Sequence, residues 1–124
     1  MLILLGIEVD DGPEDVAWLC CKIGRLRIFD DAEGVMNLAI REISGEIMVV
    51  SQFTLHASTK KGNRPSYIRA ARPEQAIPLY EEFVRQIGFE AHCPVKTGEF
   101  GAMMEVCLIN EGPVTVLMDS RHRE

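Results

Sequence analysis

The run Ile47-Met48-Val49-Val50-Ser51-Gln52-Phe53-Thr54-Leu55 begins as an apolar strand and ends in polar residues. Successive side chains of a strand point to opposite faces, so Ile47, Val49 and Ser51 share one face and Met48, Val50 and Gln52 the other. Read as a strand over 47–55, the segment delivers Ser51 and Gln52 at its C-terminal end, a position from which a rigid sheet presents chemistry.

Working outward, residues 1–9 are apolar and β-branched enough for a second, buried strand, stopped by the turn residues Asp10-Asp11-Gly12. A helix is predicted over 13–23. Pro13 suits its first position, Glu14 and Asp15 complement the positive end of its dipole, and Val16, Leu19, Cys20 and Ile23 recur at helical spacing. Leu26 and Ile28 suggest a short strand, followed by another short segment over 35–40. Beyond the long loop from His56 to Pro65, the apolar stripe Ala76, Tyr80, Phe83, Val84 and Ile87 predicts a helix over 74–87, with Gly88 ending it and Pro78 disturbing its first turns. Two further strands, 102–109 and 114–118, are predicted on either side of the turn Asn110-Glu111-Gly112-Pro113. Strand runs outnumber helices and do not alternate regularly with them. The expectation is therefore an α+β domain built on a mostly antiparallel, barrel-like sheet with two main helices packed on it.

The chain has 124 residues, of which 47% are hydrophobic and 26% charged, which suits one globular domain and excludes disorder. That domain is taken as 1–119, with 120–124 a polar tail. The longest apolar run, residues 1–5, is far short of the ~20 that cross a bilayer, so no membrane partner is expected. No secretory signal is evident, and Cys20, Cys21, Cys93 and Cys107 form no C-x-x-C pair, which fits four reduced thiols, a cytoplasmic setting and no zinc. Net charge is −6, against broad nonspecific binding to DNA or other nucleic acid. The charge is unevenly spread, because Lys60, Lys61, Arg64, Arg69 and Arg72 fall together and no acid occurs from Phe53 to Pro73. A local basic loop sits on an acidic body.

Familiar catalytic signatures are missing: there is no phosphate-cradling glycine loop, no H-E-x-x-H and no nucleophile elbow. His56, His92 and His122 are scattered with no acid at an orienting spacing, so a hydrolase triad is not supported and His56 reads as a surface loop residue. No metal or other cofactor is called for.

Three strings remain: Ser51-Gln52-Phe53-Thr54-Leu55, Thr97-Gly98-Glu99-Phe100-Gly101-Ala102 and Asn110-Glu111-Gly112-Pro113-Val114-Thr115. Together they closely resemble the D-aminoacyl-tRNA deacylase (D-tyrosyl-tRNA deacylase) family. Lys61-Gly62-Asn63-Arg64-Pro65-Ser66-Tyr67 and Arg25-Leu26-Arg27-Ile28-Phe29 also look like family segments, so the resemblance runs from Met1 to about Asp119. It implies a homodimer that needs no metal and hydrolyses the ester between a D-amino acid, or glycine mischarged on tRNA-Ala, and the terminal adenosine of tRNA.

The residues are compatible with that task. Ester hydrolysis needs a developing oxyanion to be stabilised, and main-chain N–H groups around Gln52 and Phe53 at a strand end can do this. Assistance from the 2′-hydroxyl of the RNA, which the family is thought to use, would replace a histidine base and distinguish RNA from DNA. Thr54 has no adjacent base and reads as a positioning residue rather than a nucleophile. Gly112-Pro113 in isolation is an ordinary turn. By resemblance it is a Gly-cis-Pro pair that reaches into the partner's pocket and excludes L-side chains. Phe100, Gly101, Met104 and Thr115 match the adenine and substrate pocket, against the alternative that Phe100 is core. Lys60, Lys61 and Arg64 would meet tRNA phosphates, against the alternative of a solvated loop. Family members usually open with a β-hairpin ahead of the part matching 1–9. Its absence here raises a rival reading, a noncatalytic module that binds the tRNA 3′ end.

Overall fold

The computed structural model describes residues 1–123. Strand β1 (Leu2–Leu5), helix α1 (Pro13–Gly24), strands β2 (Arg27–Asp30), β3 (Met36–Ala39) and β4 (Ile47–Ser51), a 3-10 turn (Phe53–His56), helix α2 (Pro73–Ala91) and strand β5 (Val95–Thr97) follow in that order.

The α+β class and the two helices are as expected, but the sheet is neither mostly antiparallel nor a barrel. Strand β4 lies between β1 and β5 and is parallel to both, with Leu2 opposite Met48, Leu5 opposite Ser51, Ile47 opposite Val95 and Val49 opposite Thr97. Strands β2 and β3 pair antiparallel, as a separate two-stranded ribbon with shifted register. The reason lies in the connections. A helix lies between β1 and β4 and another between β4 and β5, and each crossover returns the chain in its starting direction, which makes neighbouring strands parallel.

Helix α1 opens as its sequence demands. Gly12 precedes Pro13 in the first helical position, and the Gly12 N–H donates to the Asp15 carboxylate at 3.0 Å. Helix α2 begins at Pro73, contains Pro78, and continues past Gly88 to Ala91, where His92 adopts a left-handed conformation with φ 51°. Gly88 does not end it: an interior glycine costs a helix only ~1 kcal/mol, and a Cβ there would stand 3.2 Å from Val95 Cγ2.

Val16, Cys20 and Ile23 of α1 meet Tyr80, Phe83, Ile87 and Ala91 of α2, and both sets lie against Leu5, Ile47, Val49 and Ile40. At the closest approach of the helices, a Cβ added to Gly24 would stand 2.9 Å from the Glu90 carbonyl carbon, so the crossing admits only glycine. All four cysteines are free, and burial, then the carboxylates of Glu90 and Glu82, pushes the Cys20 thiol up to about 12.

The predicted strands 102–109 and 114–118 are not strands. Residues 103–117 form no backbone ladder among the described residues, and most of their apolar side chains, including Met103, Ile109 and Leu117, face solvent. Alternating composition makes a segment competent to be a strand, but a strand exists only where a neighbour supplies the paired N–H and C=O groups. The segment read as a polar tail makes contacts up to Arg123. Ser120 is buried, Arg121 pairs with Asp11 at 3.3 Å and also donates to the Asp10 carbonyl, and the Arg123 guanidinium lies 4.5 Å from the centre of the Trp18 ring. Glu124 lies outside the described residues. No helix is long and apolar enough to cross a membrane among the described residues.

Candidate active site

Strand β4 is held on both sides, so its C-terminal end is a rigid point. The Gln52 N–H still follows the sheet, donating to the Leu5 carbonyl at 2.8 Å. It is therefore committed, and of the two main-chain donors expected to meet an oxyanion only Phe53 stays open. The chain then tightens into the 3-10 turn Phe53–His56, whose opening N–H groups, Phe53 and Thr54, have no partner within such a turn. The Gln52 side-chain amide donates to the Thr54 hydroxyl oxygen. A hydroxyl that accepts from an amide gains no base by doing so.

The second string comes to the same place. After β5, the Gly101 N–H points to the Ser51 hydroxyl at 3.5 Å, and the Phe100 ring meets Tyr80 edge-on, with ring centroids 5.5 Å apart at 70°. Tyr80 is buried, and its hydroxyl donates to the Val49 carbonyl at 2.9 Å. A cleft of about 310 Å³ opens beside Phe100, lined by Ile77, Tyr80, Glu81 and Val84 of α2 with Thr97 and Gly98. Met104 folds its sulfur over Gly98, at 2.5 Å from where a Cβ would stand there. Ser51, Phe100, Gly101 and Met104 thus gather around the end of β4.

The third string does not join them within one chain. Gly112, Pro113 and Thr115 lie on the exposed arm 103–117 and make no hydrogen bond among the described residues. The Gly112–Pro113 peptide bond is cis, and Gly112 has φ 114°. The arm is tied down at both ends, by the Gly101 contact with Ser51 and by the docking of Ser120 and Arg121 on the start of α1.

Lys60, Lys61 and Arg64 stand on a loop closed by reciprocal main-chain hydrogen bonds between Ser58 and Ser66, at 2.8 and 2.9 Å. They take part in none of the ion pairs among the described residues.

His56 is not the surface residue its loop position suggested. Its Nδ1 lies 3.0 Å from Glu8 Oε1, Arg69 approaches the same oxygen at 3.1 Å, and Nε2 is buried against Gly6 with no hydrogen-bond partner among the described residues. The cluster locks the 3-10 turn to the segment after β1. Sequence spacing carried no signal of it, because Glu8 is 48 positions away and is brought close only by the pairing of β1 with β4. No group of three or more His, Cys, Asp or Glu side chains is arranged to hold a metal among the described residues.

A rigid strand end, a neighbouring aromatic cleft and a separate basic loop make up the candidate site. The sequence pattern of the D-Tyr-tRNA(Tyr) deacylase family matches residues 1–119. The chain is 63% identical over 124 residues to the D-aminoacyl-tRNA deacylase of Akkermansia muciniphila and 60% identical to that of Bacteroides thetaiotaomicron, in each case covering 100% of this chain and 83% of the relative. Among solved structures, the c-Myc DNA Unwinding Element Binding Protein superposes with a TM-score of 0.84 at 36% identity, over 93% of this chain and 78% of that one. A probable eukaryotic D-amino acid tRNA deacylase superposes with a TM-score of 0.63 at 17% identity, over 82% and 74%, and shares the fold. The chain belongs to the D-Tyr-tRNA(Tyr) deacylase family, and with it to the hydrolases.

Proposed function

We propose that the protein hydrolyses the ester bond of D-aminoacyl-tRNA, releasing tRNA and the free D-amino acid, and so proofreads chirality in the cytoplasm. The observation that carries this reading is the meeting of Ser51 with Gly101 at the end of β4, beside the cleft under Phe100. The terminal adenine packs on Phe100 with Met104 alongside, which leaves the ester at the 3-10 turn. There the N–H groups of Phe53 and Thr54 face the carbonyl oxygen as it gains charge, while Gln52 and Thr54 hold each other in place. Water attacks the carbonyl carbon with help from the neighbouring 2′-hydroxyl, and the 3′-oxygen of the tRNA departs with a proton.

Chirality is read by the arm of a second copy. Gly112, Pro113 and Thr115 are free of their own chain's pocket, which suits delivery to a neighbour in a homodimer. Main-chain atoms around Gly112 exclude an L-side chain at Cα and leave a D-side chain outside. Glycine has no side chain to exclude, so glycyl-tRNA-Ala is also cleaved. Lys60, Lys61 and Arg64 neutralise RNA phosphates in an otherwise acidic protein.

The test is single-turnover hydrolysis of D-aminoacyl-, L-aminoacyl- and glycyl-tRNA. Rapid release from the D and glycyl forms, with the L form spared, is the expected result. Tight binding of tRNA without release from any of them would instead establish the noncatalytic reading.

A further inference from the structure

The rings of Phe53 and Tyr67 pack edge to face, with centroids 5.0 Å apart at 73°, yet 56% of Phe53 and 36% of Tyr67 stay exposed. The pair is rigidly mounted. Phe53 opens the 3-10 turn one residue after the committed Gln52. Tyr67 directly follows Ser66, which closes the basic loop against Ser58. Past Tyr67, the Ala71 N–H donates to the Ile7 carbonyl at 2.8 Å and the Val9 N–H to the Arg69 carbonyl at 3.0 Å, so this side is pinned as well. Water-exposed aromatic rings held still by main-chain bonds on both sides, at the base of a loop whose three cations pair with no acid among the described residues, have the makings of a site for unpaired nucleic acid. Every base has a face to stack, and the cations take the phosphates.

We propose that Phe53 and Tyr67 form a stacking platform for an unpaired base that precedes the terminal adenosine of the tRNA, with Lys60, Lys61 and Arg64 on the adjoining phosphates. This subsite rests on the reading of tRNA as substrate and extends it upstream from the ester. It is distinct from the cleft under Phe100, which receives the terminal adenine alone. The absence of any acid from Phe53 to Pro73 favours RNA over a protein partner on the same patch.

Binding to unacylated RNA separates this subsite from catalysis. Wild type, Tyr67→Leu and Tyr67→Phe are titrated by NMR with the tetranucleotide 5′-ACCA-3′ and with adenosine 5′-monophosphate. The expected result is about tenfold weaker binding of the tetranucleotide by Tyr67→Leu, with Tyr67→Phe near wild type and the mononucleotide unaffected by either change. In the wild type, the Tyr67 ring resonances should shift on addition of the tetranucleotide and stay still with the mononucleotide, a readout that does not depend on either variant folding. Equal loss of both ligands in Tyr67→Leu would mean that the ring only supports the adenine cleft and would overturn the proposal. Unchanged tetranucleotide binding would also overturn it, and a shift in sedimentation of Tyr67→Leu in that case would assign the patch to contact between copies. A protein that binds the tetranucleotide as expected but hydrolyses no aminoacyl-tRNA would sink the catalytic reading and leave this one standing.

Discussion

The buried hydroxyl of Tyr80 donates a 2.9 Å hydrogen bond to the main-chain carbonyl of Val49, so helix α2 grips β4 two residues before Ser51. The same ring supports Phe100 edge-on. Burial raises the phenol above its ordinary pKa. Tyr80→Phe should lose about 1 kcal/mol in urea unfolding while retaining affinity for adenosine 5′-monophosphate, because the supporting ring survives. Tyr80→Leu should lose that affinity as well. Equal nucleotide affinity in all three proteins would show that Phe100 needs no support from Tyr80.

Gly24 allows the two helices to touch. A Cβ there would meet the Glu90 carbonyl carbon at 2.9 Å, its Cβ at 3.0 Å and the Ala91 nitrogen at 3.1 Å, and main-chain atoms cannot swing aside. Gly24→Ala should therefore destabilise the fold by roughly 1–3 kcal/mol despite the better helix propensity of alanine. The midpoint of urea denaturation measures this, and a midpoint at or above that of the parent would show that the helices separate without cost.

Asp15 supplies a pH dependence. Desolvation raises its pKa, but the Gly12 N–H, the Ser120 hydroxyl and the charges of Arg121 and Arg123 together hold it below the usual 3.8. A carboxylate depressed on folding contributes stability above its unfolded pKa and loses it as pH falls through the folded value. Asp15→Asn should consequently be less stable than the parent at pH 7, and the gap should close below about pH 3.8. A gap that stays constant from pH 7 to pH 3 would assign the effect to something other than ionisation.

Lys61 and Arg64 should set the salt dependence of tRNA binding. Each phosphate deprived of its protein cation reduces the slope of log affinity against log salt by roughly 0.7–0.9. Removing both side chains by Lys61→Ala with Arg64→Ala should flatten the slope by about 1.5, as read by filter binding across a salt series. If the slope does not change, the RNA backbone runs elsewhere on the protein.

Helix α1 could be read in advance because Pro13, the acidic first turn and the 3.6-residue spacing of Val16, Cys20 and Ile23 are local signals that agree with one another. The alternation of β4 and the composition of the Ser51-Gln52 and Phe100-Gly101 strings are local in the same sense. Strand direction is not local. Whether β1 and β5 run with β4 or against it depends on the crossover of whole helices, and nothing within the strands records it. The same limit explains 103–117, whose alternating residues look like strands yet have no paired neighbour among the described residues, and His56, whose acid partner Glu8 lies 48 positions earlier. Side-chain chemistry and periodicity are written residue by residue. Partnership between distant segments arises only when the chain closes on itself, and that closure brought Gly101 to Ser51, Tyr80 to Val49 and Arg121 to Asp11.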